Sequence, residues 1–318
     1  MGLSKIRFRD FPEDESRRTL MHLLLRATDK DLIEVIDKKS IVEFEITGPY
    51  SPDSDSIRTP LNRKIIRGVY SKISNGAHIS MQGLATGITP SSSAKKNIWF
   101  TGENKRPPFG DWDAYLSFET RFFDERNIYF PLWLITSTNL IRNLDYSYWR
   151  VANPRIESFI ESRKLTEKKK KFACAFIGKN YPHRLHAIRA LRKIGKVDVF
   201  GAGVRRPVQN PSLIAKDYKF AICFENDLYP GYVTEKPFEA YLSGTVPLYD
   251  GIDTEKYLNE EAILNLSHFD STHDWLEKVA ELNQNDVAYE QIFEKPLLAK
   301  VPDISSILRK LKGLLLDG

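Results

Sequence analysis

Short apolar runs alternating with stretches of helical spacing dominate the second half of the chain. Residues 172–177, 197–200, 220–224, 246–249 and 262–266 each read as a buried strand. Leu185, Ile188 and Leu191 lie on one face of a helix expected over 184–192, and further helices are expected over 234–242 and 275–282. Strands that are apolar throughout are buried on both faces, as in a parallel sheet covered by helices. That makes this half Rossmann-like, with a ligand expected outside the carboxyl ends of its strands. The first half reads less clearly. A helix is expected around Leu20, Leu23, Leu24 and Leu25, and strands over 41–46, 98–101 and 114–118. Residues 129–135 read as a buried segment interrupted by Pro131. Ile304, Ile307, Leu308, Leu311, Leu314 and Leu315 share one face of a closing helix over 303–318, with Arg309, Lys310 and Lys312 on another. Such a helix either lies on a membrane surface or docks on the fold, and docking is the commoner use of an amphipathic face.

The length, 318 residues, suits two domains of roughly 150 residues each. The four lysines 168–171 mark the expected boundary, which divides the chain into 1–166 and 167–318, with the last helix packing back on the first domain. The same run could contact an anion or a membrane, although a solvated helix end or linker is the plainer reading. Lys and Arg number 47 and Asp and Glu 42, a net charge of +5. That excess is too small and too dispersed for a nucleic-acid binder. Two cysteines, Cys174 and Cys223, exclude a disulfide scaffold and favour a reducing compartment. No segment reads as a signal peptide or a membrane span, so a cytoplasmic protein is expected, with peripheral membrane contact left open.

The densest candidate chemistry lies in residues 224–236. A buried strand delivers Glu225 and Asn226 to its carboxyl end, and a turn at Pro230-Gly231 follows. Thr234 then stands where a helix N-cap belongs, with Glu235 and Lys236 in the first turn. A lysine there is unfavourable in an isolated helix, and an anion such as a diphosphate would reverse the penalty. Glu235 could accept hydrogen bonds from sugar hydroxyls, and Tyr232 offers a ring and a hydroxyl. An ordinary loop before a capped helix remains an equal reading of these residues alone.

The stretch nevertheless resembles the family-10 α-1,3/4-fucosyltransferases, in their bacterial form. The residues that carry the resemblance are Phe224-Glu225-Asn226, Tyr232-Val233-Thr234-Glu235-Lys236, Ala240-Tyr241 and residues 244–251. Residues 172–180 with Arg184 and Val197-Asp198-Val199-Phe200-Gly201 are similar to the strand–helix–strand that precedes the motif in that family. Phe100-Thr101-Gly102-Glu103-Asn104, followed by residues 113–118, resembles a segment of the bacterial members.

The resemblance implies a GT-B fold of the α/β class, two Rossmann-like domains facing a cleft. It also implies GDP-fucose as donor, a lactosamine- or lactose-type acceptor glycan and inversion at the anomeric carbon. Carried over by position, Glu103 is the general base. Arg184 and Lys236 hold the diphosphate, and Tyr232 contacts phosphate or fucose. Glu235 binds a donor sugar ring, and Asn226, Asn180 and Gly201 belong to the same donor pocket. Trp99 or Phe100 could wall the acceptor, although core packing is their default. With Arg184 and Lys236 present, no metal is obligatory, and neither nucleic acid nor a protein partner is expected. Asp53-Ser54-Asp55 and Asp111-Trp112-Asp113 look like Asp-x-Asp metal motifs, but such triplets are common by chance. His183 and His186 share a helix face without a third ligand. His183 more readily approaches the diphosphate beside Arg184.

The chain departs from animal members in lacking an anchor, a stem and cysteine pairs, which suits a compact cytosolic bacterial enzyme. Three alternatives stay open: the same fold with another nucleotide-activated deoxysugar, a noncatalytic sugar-nucleotide binder, and a basic membrane-surface protein.

Overall fold

The computed structural model describes residues 44–47, 79–82, 96–100, 104–120, 124–131, 133–136, 156–208, 210–252 and 257–316. The chain divides into two compact units, residues 1–135 with 303–318, and residues 136–302.

The first unit holds five parallel strands: β1 (Phe44–Thr47), β2 (Ile79–Gln82), β3 (Lys96–Phe100), β4 (Ala114–Ser117) and β5 (Asn127–Tyr129). They neighbour one another in chain order, without reversal. All four residues of β4 are buried, as a strand covered on both faces requires. Trp99 pairs with Tyr115 across β3 and β4, and Trp112 completes an aromatic cluster with ring centroids 6.5 Å apart. Phe130, Pro131, Trp133 and Leu134 are buried where the sequence predicts a buried segment, and α1 (Trp133–Thr136) begins after Pro131. The predicted helix around residues 20–25 and the start of the strand at 41–43 lie outside the described residues, as does Asp53-Ser54-Asp55. The alternation in the sequence did not reveal β2.

The second unit opens with α2 (Glu157–Ile160) and continues through β6 (Lys171–Phe176), α3 (Pro182–Leu191), β7 (Val197–Phe200), α4 (Pro211–Ala215), β8 (Tyr218–Ile222), α5 (Lys236–Leu242), β9 (Val246–Tyr249), β10 (Leu264–Asn265), α6 (Thr272–Gln284) and α7 (Asp286–Phe293). The strand order is β10-β9-β8-β6-β7, and every pair is parallel. Phe172, Phe220, Phe224, Trp275, Tyr289 and Phe293 are the aromatic residues of its core.

Several predicted boundaries shift for identifiable reasons. β8 begins at Tyr218, not Phe220, because its first two polar residues are buried with partners. Lys219 donates to Asp286 and to the Asn283 carbonyl, both at 2.8 Å, and Tyr218 donates to Asp198 at 2.9 Å. α3 starts at Pro182, whose missing N–H costs nothing in a first turn. α6 starts at Thr272, behind Ser271 as N-cap. β10 shrinks to two residues between 3-10 turns at Glu260–Ala262 and Leu266–His268.

The segment before the lysine run packs within the second unit. Phe159 meets Phe238 edge-on at 5.1 Å. Arg163 donates to the Phe293 and Thr245 carbonyls, each at 2.7 Å, and to that of Tyr241. Its guanidinium lies over the Tyr241 and Phe293 rings at 3.7 and 3.9 Å. One side chain thus satisfies carbonyls near the ends of both α5 and α7. The lysine run itself is tied in: Lys168 pairs with Asp286 at 2.5 Å, Lys169 donates to the Lys216 carbonyl at 2.6 Å, and Lys171 opens β6.

The closing helix α8 (Ile304–Leu316) contacts β4 and β5 in the first unit. Leu311 is buried, and Lys310 donates to the Asn127 carbonyl at 2.8 Å. Among the described residues no helix is long and apolar enough to cross a membrane.

Arg163→Ala strips partners from three carbonyls and leaves a void between two rings. It is expected to lower unfolding free energy by about 3 kcal/mol, read as a lower urea midpoint with unchanged slope.

Candidate functional site

The second sheet contains the topological feature that creates a crevice. From β6 the chain passes through α3 to β7 on one side, then returns through α4 to β8 on the other. The loops that leave β6 and β8 therefore diverge at neighbouring carboxyl ends, where α/β sheets bind ligands.

The first turn of α3 bridges these two loops. Arg184 donates from Nε and Nη2 to the Phe224 carbonyl at 3.1 and 2.7 Å, and from Nη2 to Asn226 Oδ1 at 2.7 Å. His183 donates from Nε2 to the Glu225 carbonyl at 2.9 Å and lies parallel to the Phe224 ring. Arg184 is buried, at 8% exposure. Burial holds its guanidinium below the usual arginine range, opposed first by the charge of Glu225. Among the described residues no carboxylate lies within ion-pair distance of Arg184, and its Nη1 has no hydrogen-bond partner. A buried cation without a carboxylate in direct contact is expensive unless a ligand supplies an anion.

The second cation is arranged differently. Lys236 donates to Glu225 Oε2 and to Thr234 Oγ1, both at 2.8 Å. Glu225 is 1% exposed and also accepts from the Thr234 amide at 2.8 Å, the Thr234 hydroxyl at 2.7 Å and the Tyr249 hydroxyl at 2.9 Å. Glu235 stands 3.9 Å from the Lys236 ammonium. Burial works against that ammonium, but Glu225 and then Glu235 outweigh it, so Lys236 is held above the ordinary lysine range.

This geometry corrects the capping expectation. Thr234 is not the N-cap of α5; its amide and hydroxyl turn inward to Glu225. The cap position belongs to Glu235, which makes no side-chain capping bond, and Pro237 occupies the first turn. Tyr232 is buried at 2% exposure on the loop between, close enough to Arg184 to act on its charge. Gly231 permits the turn before it, at φ 77°.

Asn180 lies in the loop after β6, and Gly201 directly follows β7 and packs against that loop. Asn180 donates to the Gly203 carbonyl at 2.7 Å. Gly201 has φ 111°, and a Cβ there would fall 2.3 Å from the Ile177 carbonyl oxygen. Glu103 lies outside the described residues. Of the two aromatic residues before it, Phe100 ends β3 and Trp99 packs in the first unit's core at 5% exposure. His186 is exposed, and among the described residues no His, Cys, Asp or Glu cluster could hold a metal. Cys174 and Cys223 are buried, and burial pushes both thiols above the usual range. Sequence reasoning named Lys236 but missed that Glu225 and Thr234 hold it and that Tyr249 in turn holds Glu225. The signal is a glutamate at a strand exit, but its partners lie 9, 11 and 24 positions on.

Residues 166–302 match the family described as Glycosyltransferase family 10 (fucosyltransferase) C-term. This part of the chain is thus similar to the C-terminal region of the family 10 glycosyltransferases. Its relatives include the alpha-(1,3)-fucosyltransferase FucT of Helicobacter pylori, 28% identical over 229 residues, covering 64% of this chain and 47% of the relative. The human 4-galactosyl-N-acetylglucosaminide 3-alpha-L-fucosyltransferase 9 is 26% identical over 132 residues, covering 39% of this chain and 37% of the relative. The chain thus spans less than half the length of these curated relatives. A crystal structure of alpha1,3-fucosyltransferase with GDP-fucose superimposes with a TM-score of 0.61 at 20% identity, covering 94% of this chain and 97% of that one. The form with GDP gives 0.61 at 21% identity, covering 93% and 96%. These likenesses show the fold, which is GT-B.

Gly201→Ala forces a methyl group against backbone in a left-handed conformation. A loss of about 2–4 kcal/mol is expected, measured by chemical denaturation.

Proposed function

We propose that this protein is an inverting α-1,3/4-fucosyltransferase. It moves L-fucose from GDP-fucose to a hydroxyl of a lactosamine- or lactose-type glycan, the 3-OH of N-acetylglucosamine or glucose. The observation that carries the reading is Arg184, a buried guanidinium with no carboxylate in ion-pair contact among the described residues, beside the anchored ammonium of Lys236 at the crevice of the second sheet. A diphosphate supplies the anion this arrangement lacks. The family 10 match and the relatives' activities support the choice of donor.

In this mechanism the acceptor oxygen attacks the anomeric carbon opposite the leaving GDP, in one displacement. Glu103 takes the acceptor proton. Negative charge grows on the diphosphate as the C–O bond breaks, and Arg184 and Lys236 stabilise it. A preorganised charge of this kind is worth ~3 kcal/mol of barrier. Tyr232, Glu235 and Asn226 hold the donor between these cations. The setting we propose is cytoplasmic, in keeping with two buried free thiols.

The test is GDP release from GDP-fucose with lactose, N-acetyllactosamine and its type-1 isomer, each with EDTA or manganese. Acceptor-dependent release is expected. GDP binding without release from any of them would favour a sugar-nucleotide binder. Glu103→Gln should lower kcat by about 10²–10⁴ while leaving GDP affinity unchanged in calorimetry, because a general base acts on the acceptor. Lys236→Gln should weaken GDP binding about tenfold or more. Unchanged affinity would remove Lys236 from the site.

A further inference from the structure

We propose that Glu225 is a positioning residue of the nucleotide-sugar site: it fixes the Lys236 ammonium as a charged, immobile donor and closes the loop that carries Asn226 and Tyr232. This rests on the donor-site reading above.

Glu225 does not itself meet the ligand. It is 1% exposed, and its carboxylate already receives the Thr234 amide, the Thr234 hydroxyl, the Tyr249 hydroxyl and the Lys236 ammonium. A carboxylate offers about four acceptor positions, so none is left for a sugar hydroxyl. Lys236 is in the complementary state. Its side chain keeps 20% exposure, and its hydrogen bonds to Glu225 and Thr234 leave one ammonium N–H without an acceptor among the described residues. Glu225 thus takes up the buried side of the ammonium and leaves one donor for an anion.

The partners of Glu225 come from separate elements: Thr234 ends the loop, Lys236 opens α5, and Tyr249 ends β9. The Glu225–Thr234 contact closes residues 226–233 at their base. Asn226 leaves that base toward Arg184, and Tyr232 returns to it. A free lysine has to lose side-chain freedom when it grips a phosphate; one already clamped does not.

The charge of Glu225 matters as well as its reach. The ammonium faces Glu225, Glu235 and Arg184; Cys223 and the Tyr249 hydroxyl flank the carboxylate, and His183 holds its backbone. Of these, Glu225 and Glu235 favour the charged lysine, while burial and Arg184 disfavour it. Without Glu225 the balance turns, and Lys236 gives up its proton at lower pH.

The experiment is GDP calorimetry on the full chain across pH 7 to 10, comparing wild type, Glu225→Gln, Glu225→Asp and Tyr249→Phe. The nucleotide's own titration cancels in each ratio to wild type. Glu225→Gln should bind GDP about tenfold to a hundredfold more weakly at pH 7. The ratio should widen toward pH 10, and KM for GDP-fucose should rise while KM for the acceptor stays. Tyr249→Phe keeps the charge, so its ratio should not change with pH. Glu225→Asp, which retains charge but withdraws the carboxylate by one methylene, should weaken binding severalfold with no pH dependence. It decides the matter if the glutamine variant does not fold. Wild-type affinity and pH profile in Glu225→Gln would overturn the proposal. So would a loss in that variant that is flat with pH, or wild-type affinity in Glu225→Asp. A wild-type protein that binds no GDP would instead overturn the donor-site reading itself.

Discussion

Two cations are withdrawn from water at the carboxyl ends of β6 and β8, and the rest of the site is organised by how each is compensated. Lys236 has an internal counter-ion in Glu225. Arg184 has only neutral acceptors, the Phe224 carbonyl and Asn226. Burying a charge is tolerable when it is paired and costly when it is not. The asymmetry leaves a positive charge in the crevice, which the proposed diphosphate donor would balance.

The sheet makes this possible. Reversal of strand order between β7 and β8 separates the loops after β6 and β8, and the first turn of α3 spans the gap. The amino ends of the same strands serve a different purpose. There Arg163 satisfies carbonyls near the ends of α5 and α7 and at the entrance to β9, held between two aromatic rings. Burial brings its guanidinium down to about 10. That guanidinium donates to the protein's own backbone carbonyls, which suits a structural role. Chemistry and stability are thus divided between the two ends of one sheet.

The second unit was legible along the chain wherever a strand was apolar throughout. β7 and β9 stand at their predicted residues, because both are mainly apolar and their groups with distant partners, Asp198 and the hydroxyl of Tyr249, do not interrupt the apolar run. β8 was misplaced by two residues because Lys219 is buried against Asp286, 67 positions away, and no local pattern announces that pairing. α7 was missed for a similar reason: its Asn285 cap and buried Tyr289 gain meaning only against β8.

The residue types that a diphosphate site needs, and the strand–loop–helix order that delivers Arg184, Asn226 and Lys236, follow from the sequence by itself, since hydrophobic period and turn chemistry are local properties. What only the tertiary structure decided is the allocation of each group. Thr234 looked like a helix cap and is a ligand of Glu225. Glu225, which the sequence placed only at a strand exit, is saturated from within. Asn180 donates to the Gly203 carbonyl, and a Cβ at Gly201 would meet the Ile177 carbonyl oxygen, contacts that no local pattern announces. Hydrogen-bond capacity is exhausted by whichever partners arrive in space, and those partners came from β9 and α3, elements remote in sequence from the loop they complete.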